Sequence, residues 1–252
     1  IFDNPTIKSL ANLIKKVNTN EYDNKITKVP KKEYYPTSSA QKRIYYSSLV
    51  DGEYSTLYNI SGILVLDHTP DIEKLNKCFK KVIQNNESFR TYFQIEDNQV
   101  VQKILDSADF NIDFEKVKHS DIEKVAEDFI KPFDLSSAPL IRGKLVELKN
   151  KKVLLMVDMH HIIGDGTTLK LLTKELSDLY NGKRVEKKEI DYKDFSVWEN
   201  NNINSKQHEL SEQYWLSQFK DDIPILDLPT NYSRPATQSF EGNEISKTID
   251  ET

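Results

Sequence analysis

Cysteine is nearly absent from this chain: Cys78 stands alone among 252 residues, which excludes an internal disulfide and a cysteine-based metal cluster. Long apolar runs are missing too. The stretch from Val153 to Val157 falls far short of the roughly 20 residues that a bilayer-spanning helix needs. No basic segment followed by an apolar one opens the chain as a secretory leader would. There is no block of basic residues, and 35 Lys and Arg against 40 Asp and Glu leave a net charge of -5, which argues against a nucleic-acid groove. Ser38, Ser39 and Ser88 lack the Gly-x-Ser-x-Gly elbow that would expose a serine nucleophile. No internal repeat or low-complexity tract occurs. With 37% hydrophobic and 30% charged residues, the expectation is a folded cytoplasmic protein with neither membrane nor nucleic acid as partner.

Periodicity orders the elements that are present. Asn4 to Ile14 reads as a short helix capped by Asn4, with Pro5 in its first turn and Ile7, Leu10, Ala11 and Ile14 on one face. The polar stretch 15–33 lacks usable periodicity and reads as a linker. Ile60 to Leu66 reads as a strand and Asp71 to Gln84 as a helix. A hairpin is expected about Glu96-Asp97-Asn98, then a helix over Asp121 to Ile130. Leu140 to Leu148 and Val153 to Met159 read as paired strands, and Thr168 to Tyr180 as a helix closed by Asn181-Gly182. A last helix is expected over Ser205 to Phe219, before Pro224, Pro229 and Pro235 break the chain into connectors.

The densest chemistry is His160-His161-Ile162-Ile163-Gly164-Asp165-Gly166, directly after an apolar strand. Neighbouring side chains on a strand point to opposite faces, so one histidine is expected to face the reaction space and the other to brace the packed side. An imidazole titrates near neutrality and suits proton transfer. The spacing leaves catalysis and simple polar satisfaction at a strand end both open. Metal binding is disfavoured, because adjacent histidines do not converge on one ion and no cysteine helps. Asp165 is expected to orient an imidazole or to pair with an arginine, and Gly164 and Gly166 to permit close backbone approach.

Met159 to Gly166 resembles the third core motif of condensation domains in nonribosomal peptide synthetases, within the superfamily that includes chloramphenicol acetyltransferase. Ser39-Ala40-Gln41-Lys42-Arg43-Ile44-Tyr45-Tyr46 resembles the first motif, Asn86-Glu87-Ser88-Phe89-Arg90-Thr91-Tyr92-Phe93 the second, and Tyr192-Lys193-Asp194-Phe195-Ser196-Val197-Trp198 the fourth. Leu228-Pro229-Thr230, Arg234-Pro235 and Ser239-Phe240-Glu241-Gly242 resemble the family's bridge into its second half. Asn85-Asn86 departs from the Arg-His that usually precedes Glu87, so a salt bridge expected there must be replaced or lost.

The resemblance implies an α/β lobe, a mixed sheet flanked by helices, over residues 34–220, with 221–252 as connector and start of a truncated second lobe. Residues 1–14 resemble the last helix of an upstream carrier domain. The implied reaction is amide-bond formation between two carrier-bound thioesters, with His161 on the reacting face as base or positioning group. His160, Asp165, Gly166, Arg43 and Arg90 are implied as supporting residues, with Arg43 or Arg90 the expected partner of Asp165. Ser39, Gln41, Tyr45 and Trp198 are expected to serve packing or the contact between lobes. Implied partners are upstream and downstream carriers, the second lobe and a neighbouring adenylation domain. The carriers' phosphopantetheine arms act as substrate, and no cofactor or metal is expected on this chain. The family also leaves open an epimerisation domain, a carrier-independent acyltransferase, or a decayed carrier-docking scaffold.

Overall fold

The apolar run before the paired histidines is an inner strand of the larger of the two sheets among the described residues. The computed structural model describes residues 6–17, 25–52, 55–118, 121–149 and 152–221, with isolated positions between 223 and 248. The first elements are α1 (Ile7–Val17), β1 (Tyr35–Pro36), α2 (Ser39–Asp51), β2 (Asn59–Leu66), α3 (Ile72–Asn85) and a 3-10 turn (Glu87–Arg90). They are followed by β3 (Thr91–Glu96), β4 (Gln99–Ile104), β5 (Asp113–Val117), α4 (Ile122–Phe129), β6 (Ile141–Leu148) and β7 (Val153–His160). The chain continues through α5 (Gly166–Tyr180), α6 (Tyr192–Asn202) and α7 (Lys206–Gln218).

Four strands form a mixed sheet in the order β2-β7-β6-β5, antiparallel except for the parallel pair β5–β6. A smaller antiparallel sheet has the order β1-β4-β3. Its hairpin turns at Asp97 and Asn98, both at positive φ, as a two-residue turn matched to strand twist requires. This architecture is the α/β fold with a mixed sheet and flanking helices that the sequence implied.

Side-chain alternation along β7 feeds two cores. Val153, Leu155, Val157 and Met159 face α3 and α5, meeting Leu75, Phe79, Val82, Ile83, Leu172 and Leu176. Met156 faces the other way, where Val125 and Phe129 of α4 pack with Val146 and Leu148 of β6. Each such fully buried side chain contributes about 1.5–3 kcal/mol over its exposed state. β7 is buried along nearly its whole length because both of its faces are covered, and its apolar run is broken by Asp158 before it ends at His160.

Two local readings differ from the sequence expectation. The Asn4 cap and Pro5 lie outside the described residues. The described helix starts after Thr6, whose hydroxyl accepts from the Ser9 N–H at 3.1 Å, and it runs to Val17, into the stretch read as linker. The end of that stretch is tied down as well: the Val29 N–H donates to Asp194 Oδ1 at 2.8 Å, and the Lys32 N–H to the Tyr35 hydroxyl at 2.8 Å. Such bonds depend on residues distant in the chain or on a tertiary turn, so periodicity carries no trace of them. The chain divides into two compact units, Ile1–Ser205 and Lys206–Thr252, with the division ahead of α7. Among its described residues the second unit consists of α7 and extended segments, and Trp215 stacks on Phe219 with ring centroids 6.4 Å apart.

Candidate functional site

β7 delivers the histidines to its carboxyl end, and the backbone turns at once. The His160 N–H donates to the Leu140 carbonyl at 3.0 Å and the His161 N–H to the Tyr58 carbonyl at 2.7 Å, so the residues just ahead of β6 and β2 hold the turn from both sides. The Ile163 N–H closes it onto the His160 carbonyl at 3.1 Å.

The two imidazoles diverge. His160 is buried, and its Nδ1 accepts from the Ile162 N–H at 3.2 Å, which leaves the proton of the neutral ring on Nε2. Burial, helped by the adjacent His161, pushes its pKa down to about 4. Its ring sits between Tyr58 and Phe133, at 6.1 and 6.2 Å between centroids. His161 is exposed and lines a cavity of about 430 Å³. His160 lines a different cavity, beside Tyr45, Tyr58 and Phe133.

Among the described residues, Asp165 pairs with no arginine. Its carboxylate caps α5, accepting from the Thr168 N–H at 2.9 Å and the Thr168 hydroxyl at 3.0 Å, while its own N–H donates to that hydroxyl at 3.0 Å. These bonds hold the Asp165 carboxyl below the usual carboxylate range. Local capping competes with a distant guanidinium for the same oxygens, and here the helix start wins. The two arginines lie elsewhere. Arg43 is exposed on α2. Arg90 is buried and fastens the end of α3, donating to the carbonyls of Ile83, Gln84 and Leu105. A cation there also complements the negative end of the helix dipole. Gly166 opens α5 beside open space, whereas a Cβ on Gly164 would meet Thr168 Cγ2 at 2.9 Å.

All four sequence motifs reach the cavity that His161 lines. Gln41 comes from α2, Asn86, Ser88 and Phe89 from the turn after α3, Gly164 and Asp165 from the histidine turn, and Tyr192 from α6. Ser38 organises the first motif: its hydroxyl accepts from the Gln41 N–H at 3.1 Å and contacts the Tyr192 hydroxyl at 2.9 Å. The departure at Asn85-Asn86 is resolved asymmetrically. Asn86 Nδ2 donates to the Val82 carbonyl at 2.9 Å and to Glu175 at 3.0 Å. Asn85 Nδ2 is buried without a partner among the described residues, so the salt bridge expected there is lost.

The family model for the condensation domain matches residues 31–252. The chain belongs to the condensation-domain family. This condensation-domain chain is 41% identical over 246 residues to gramicidin S synthase 2 of Brevibacillus brevis, covering 98% of the chain and 6% of that protein. It is 39% identical over 250 residues to bacitracin synthase 3 of Bacillus licheniformis, covering 99% of the chain and 4% of that protein. The chain therefore spans only a small part of these relatives. Its fold matches the X-domain solved with OxyB from teicoplanin biosynthesis at a TM-score of 0.73 and 22% identity, covering 84% of this chain and 49% of that one. It matches the first condensation domain of the calcium-dependent antibiotic synthetase at 0.64 and 19%, covering 76% and 49%.

Reading the condensation domain from sequence missed a buried polar set. Lys193 and Asp194 of the fourth motif are buried, the former paired with Glu87 of the second. Asp158 is fully buried beside Arg142. A single carboxylate inside Val153-Leu154-Leu155-Met156-Val157-Asp158-Met159 was a visible signal, since an unpaired charge in such a run is costly. Among the described residues no group of three or more His, Cys, Asp or Glu is set to hold a metal, and no helix is long and apolar enough to cross a membrane.

Proposed function

We propose that this chain is the N-terminal lobe of a peptide-synthetase condensation domain, whose parent protein joins two carrier-bound thioesters through an amide bond. The observation that carries the reading is the convergence of four motifs on one cavity with the exposed His161 at its edge. The acceptor amine attacks the donor thioester carbonyl, a C–N bond forms, the C–S bond breaks, and the amine proton passes to the departing thiolate. His161 takes that proton or holds the amine in line. A thioester is already activated, so orientation supplies much of the acceleration. Gly166 lies beyond the turn with open space around it, where a backbone N–H can approach the developing oxyanion.

The remaining assignments belong to the same proposal. Residues 1–14 end an upstream carrier domain and 15–33 link it to the lobe over 34–220. Residues 221–252 lead into a second lobe. Ile7 is almost fully exposed on α1, and Ile63 and Val65 are more than half exposed on β2, as expected of surfaces made for neighbouring units. Upstream and downstream carriers with their phosphopantetheine arms are the substrates, and an adenylation domain is the neighbour that loads one of them.

The test is dipeptide formation by the intact parent synthetase with separately loaded donor and acceptor carriers, beside His161→Ala and this 252-residue lobe. Product from the parent, with loss of at least about a hundredfold in the other two, is the expected result. A folded, loaded parent that makes no peptide across a varied substrate set would refute the condensation reading. Inversion of the donor α-carbon would then establish epimerisation, and carrier binding alone a docking scaffold.

A further inference from the structure

A row of polar side chains crosses the face of the main sheet turned away from α3 and α5. Asn59 and Ser61 on β2, Arg142 on β6 and Asp158 on β7 share this face by register and alternation. Asp158 precedes His160 by two residues, so the two point the same way. The Asp158 carboxylate accepts from the Ser61 hydroxyl at 2.8 Å and from Asn59 Nδ2 at 2.9 Å, and Arg142 Nε lies 3.3 Å away. Burial nonetheless raises the Asp158 carboxyl above its ordinary value.

Stability alone is a poor explanation for this cluster. A buried ion pair is a weak source of stability, and this one is imperfectly matched: Arg142 Nε and Asn59 Oδ1 are buried without a hydrogen bond among the described residues. What the cluster does hold is a segment of backbone. Arg142 Nη2 donates to the carbonyls of Lys131 at 2.6 Å and Pro132 at 3.3 Å, and Asn59 Nδ2 donates to the same Lys131 carbonyl at 2.9 Å. The next residue is Phe133. Its ring lies under the Arg142 guanidinium, 3.7 Å from centroid to carbon, and stands edge-on to the His160 ring.

We propose that Arg142 and Asp158 are positioning residues for the histidine turn. They hold Phe133 against the His160 ring, the ring receives the Ile162 N–H, and the turn so fixed presents His161 to the cavity on the opposite side. The kinetic part of this inference rests on the condensation reading; the structural part does not.

The experiment uses the intact synthetase with Arg142→Met, Phe133→Leu and the double variant Arg142→Met/Asp158→Asn. Dipeptide formation is measured alongside amide hydrogen exchange of the peptide spanning residues 160–163. Arg142→Met is expected to lower kcat about tenfold with KM within about twofold, and to speed exchange of the turn amides while the rest of the lobe is unchanged. Phe133→Leu is expected to reproduce both effects. The double variant, which removes the unpaired buried carboxylate, is expected to regain thermal stability and yet keep the low kcat and the fast exchange. Recovery of kcat and protection together with stability would show that the pair only stabilises the sheet and would overturn the proposal. So would slow, native-like exchange of the turn in Arg142→Met. A wild-type parent that forms no peptide would refute the condensation reading, and the exchange arm would still decide this one.

Discussion

Glu87 and Lys193, 106 residues apart in the chain, form an ion pair that fastens the turn after α3 to α6. Both side chains are largely buried, Lys187 lies 3.7 Å from the second Glu87 oxygen, and the Glu87 N–H donates to Asp191 at 3.1 Å. Removing Lys193 leaves the half-buried Glu87 carboxylate only the longer contact to Lys187. Lys193→Met is therefore expected to destabilise the lobe by about 3 kcal/mol in urea unfolding, and adding Glu87→Gln to recover most of the loss. A single variant within about 0.5 kcal/mol of wild type would show that solvent already screens the pair.

Asp165 acts on the start of α5. Asp165→Ala is expected to cost about 1 kcal/mol, whereas Asp165→Asn, whose amide oxygen can accept the same Thr168 N–H, costs less than half of that. Because the Asp165 carboxyl lies below its ordinary range, its contribution is complete above the usual carboxylate pKa and fades as pH falls through the depressed value. An equal loss in both variants at neutral pH would mean that charge, and not the cap, is what matters.

The two glycines of the turn are expected to separate cleanly. An added Cβ at Gly164 presses on Thr168, the residue that completes the Asp165 cap, so Gly164→Ala should lower the melting temperature. Gly166→Ala meets nothing and should leave stability within about 0.5 kcal/mol of wild type. Loss of peptide formation in folded Gly166→Ala would then report on the space that substrate needs. Thermal unfolding of the two variants side by side decides the first point.

His160 makes the fold acid-sensitive. Its pKa is about 4 in the folded protein against 6.5 unfolded, so between those values the unfolded chain binds more protons and stability falls as pH falls. The full contribution is present above pH 6.5 and lost by about pH 4, amounting to about 3 kcal/mol. His160→Asn, which keeps an acceptor for the Ile162 N–H, is expected to flatten the decline measured by urea unfolding across that range. An unchanged slope would assign the acid sensitivity to other groups.

Much of the architecture was legible from periodicity. β2, α3, the β3–β4 hairpin, β6 and α5 carry a regular apolar stripe and β7 a continuous apolar run, so apolar pattern alone marked them close to their observed bounds. Spacing was silent on α2 and α6. Their sequences carry no clear apolar stripe; the Ser38 hydroxyl caps α2 and the Asp194 carboxylate accepts from the Asp191 N–H at the start of α6, bonds that a period cannot display. It was equally silent on β5, an exposed edge strand of mostly charged residues, whose pairing with β6 depends on chain segments brought together in space.

The amino-acid sequence by itself determined the family, the mixed α/β lobe and the divergence of the two histidines, because strand alternation and ordered motifs are properties of the linear chain. Only the tertiary structure decided which partners the charged groups take. Among the described residues, Asp165 binds the helix start and no arginine, Arg90 turns to three carbonyls, Lys193 finds Glu87, and Asp158 finds Arg142. A carboxylate's choice depends on distances of a few ångströms between segments far apart in sequence, and those distances do not exist until the sheet and its helices have packed.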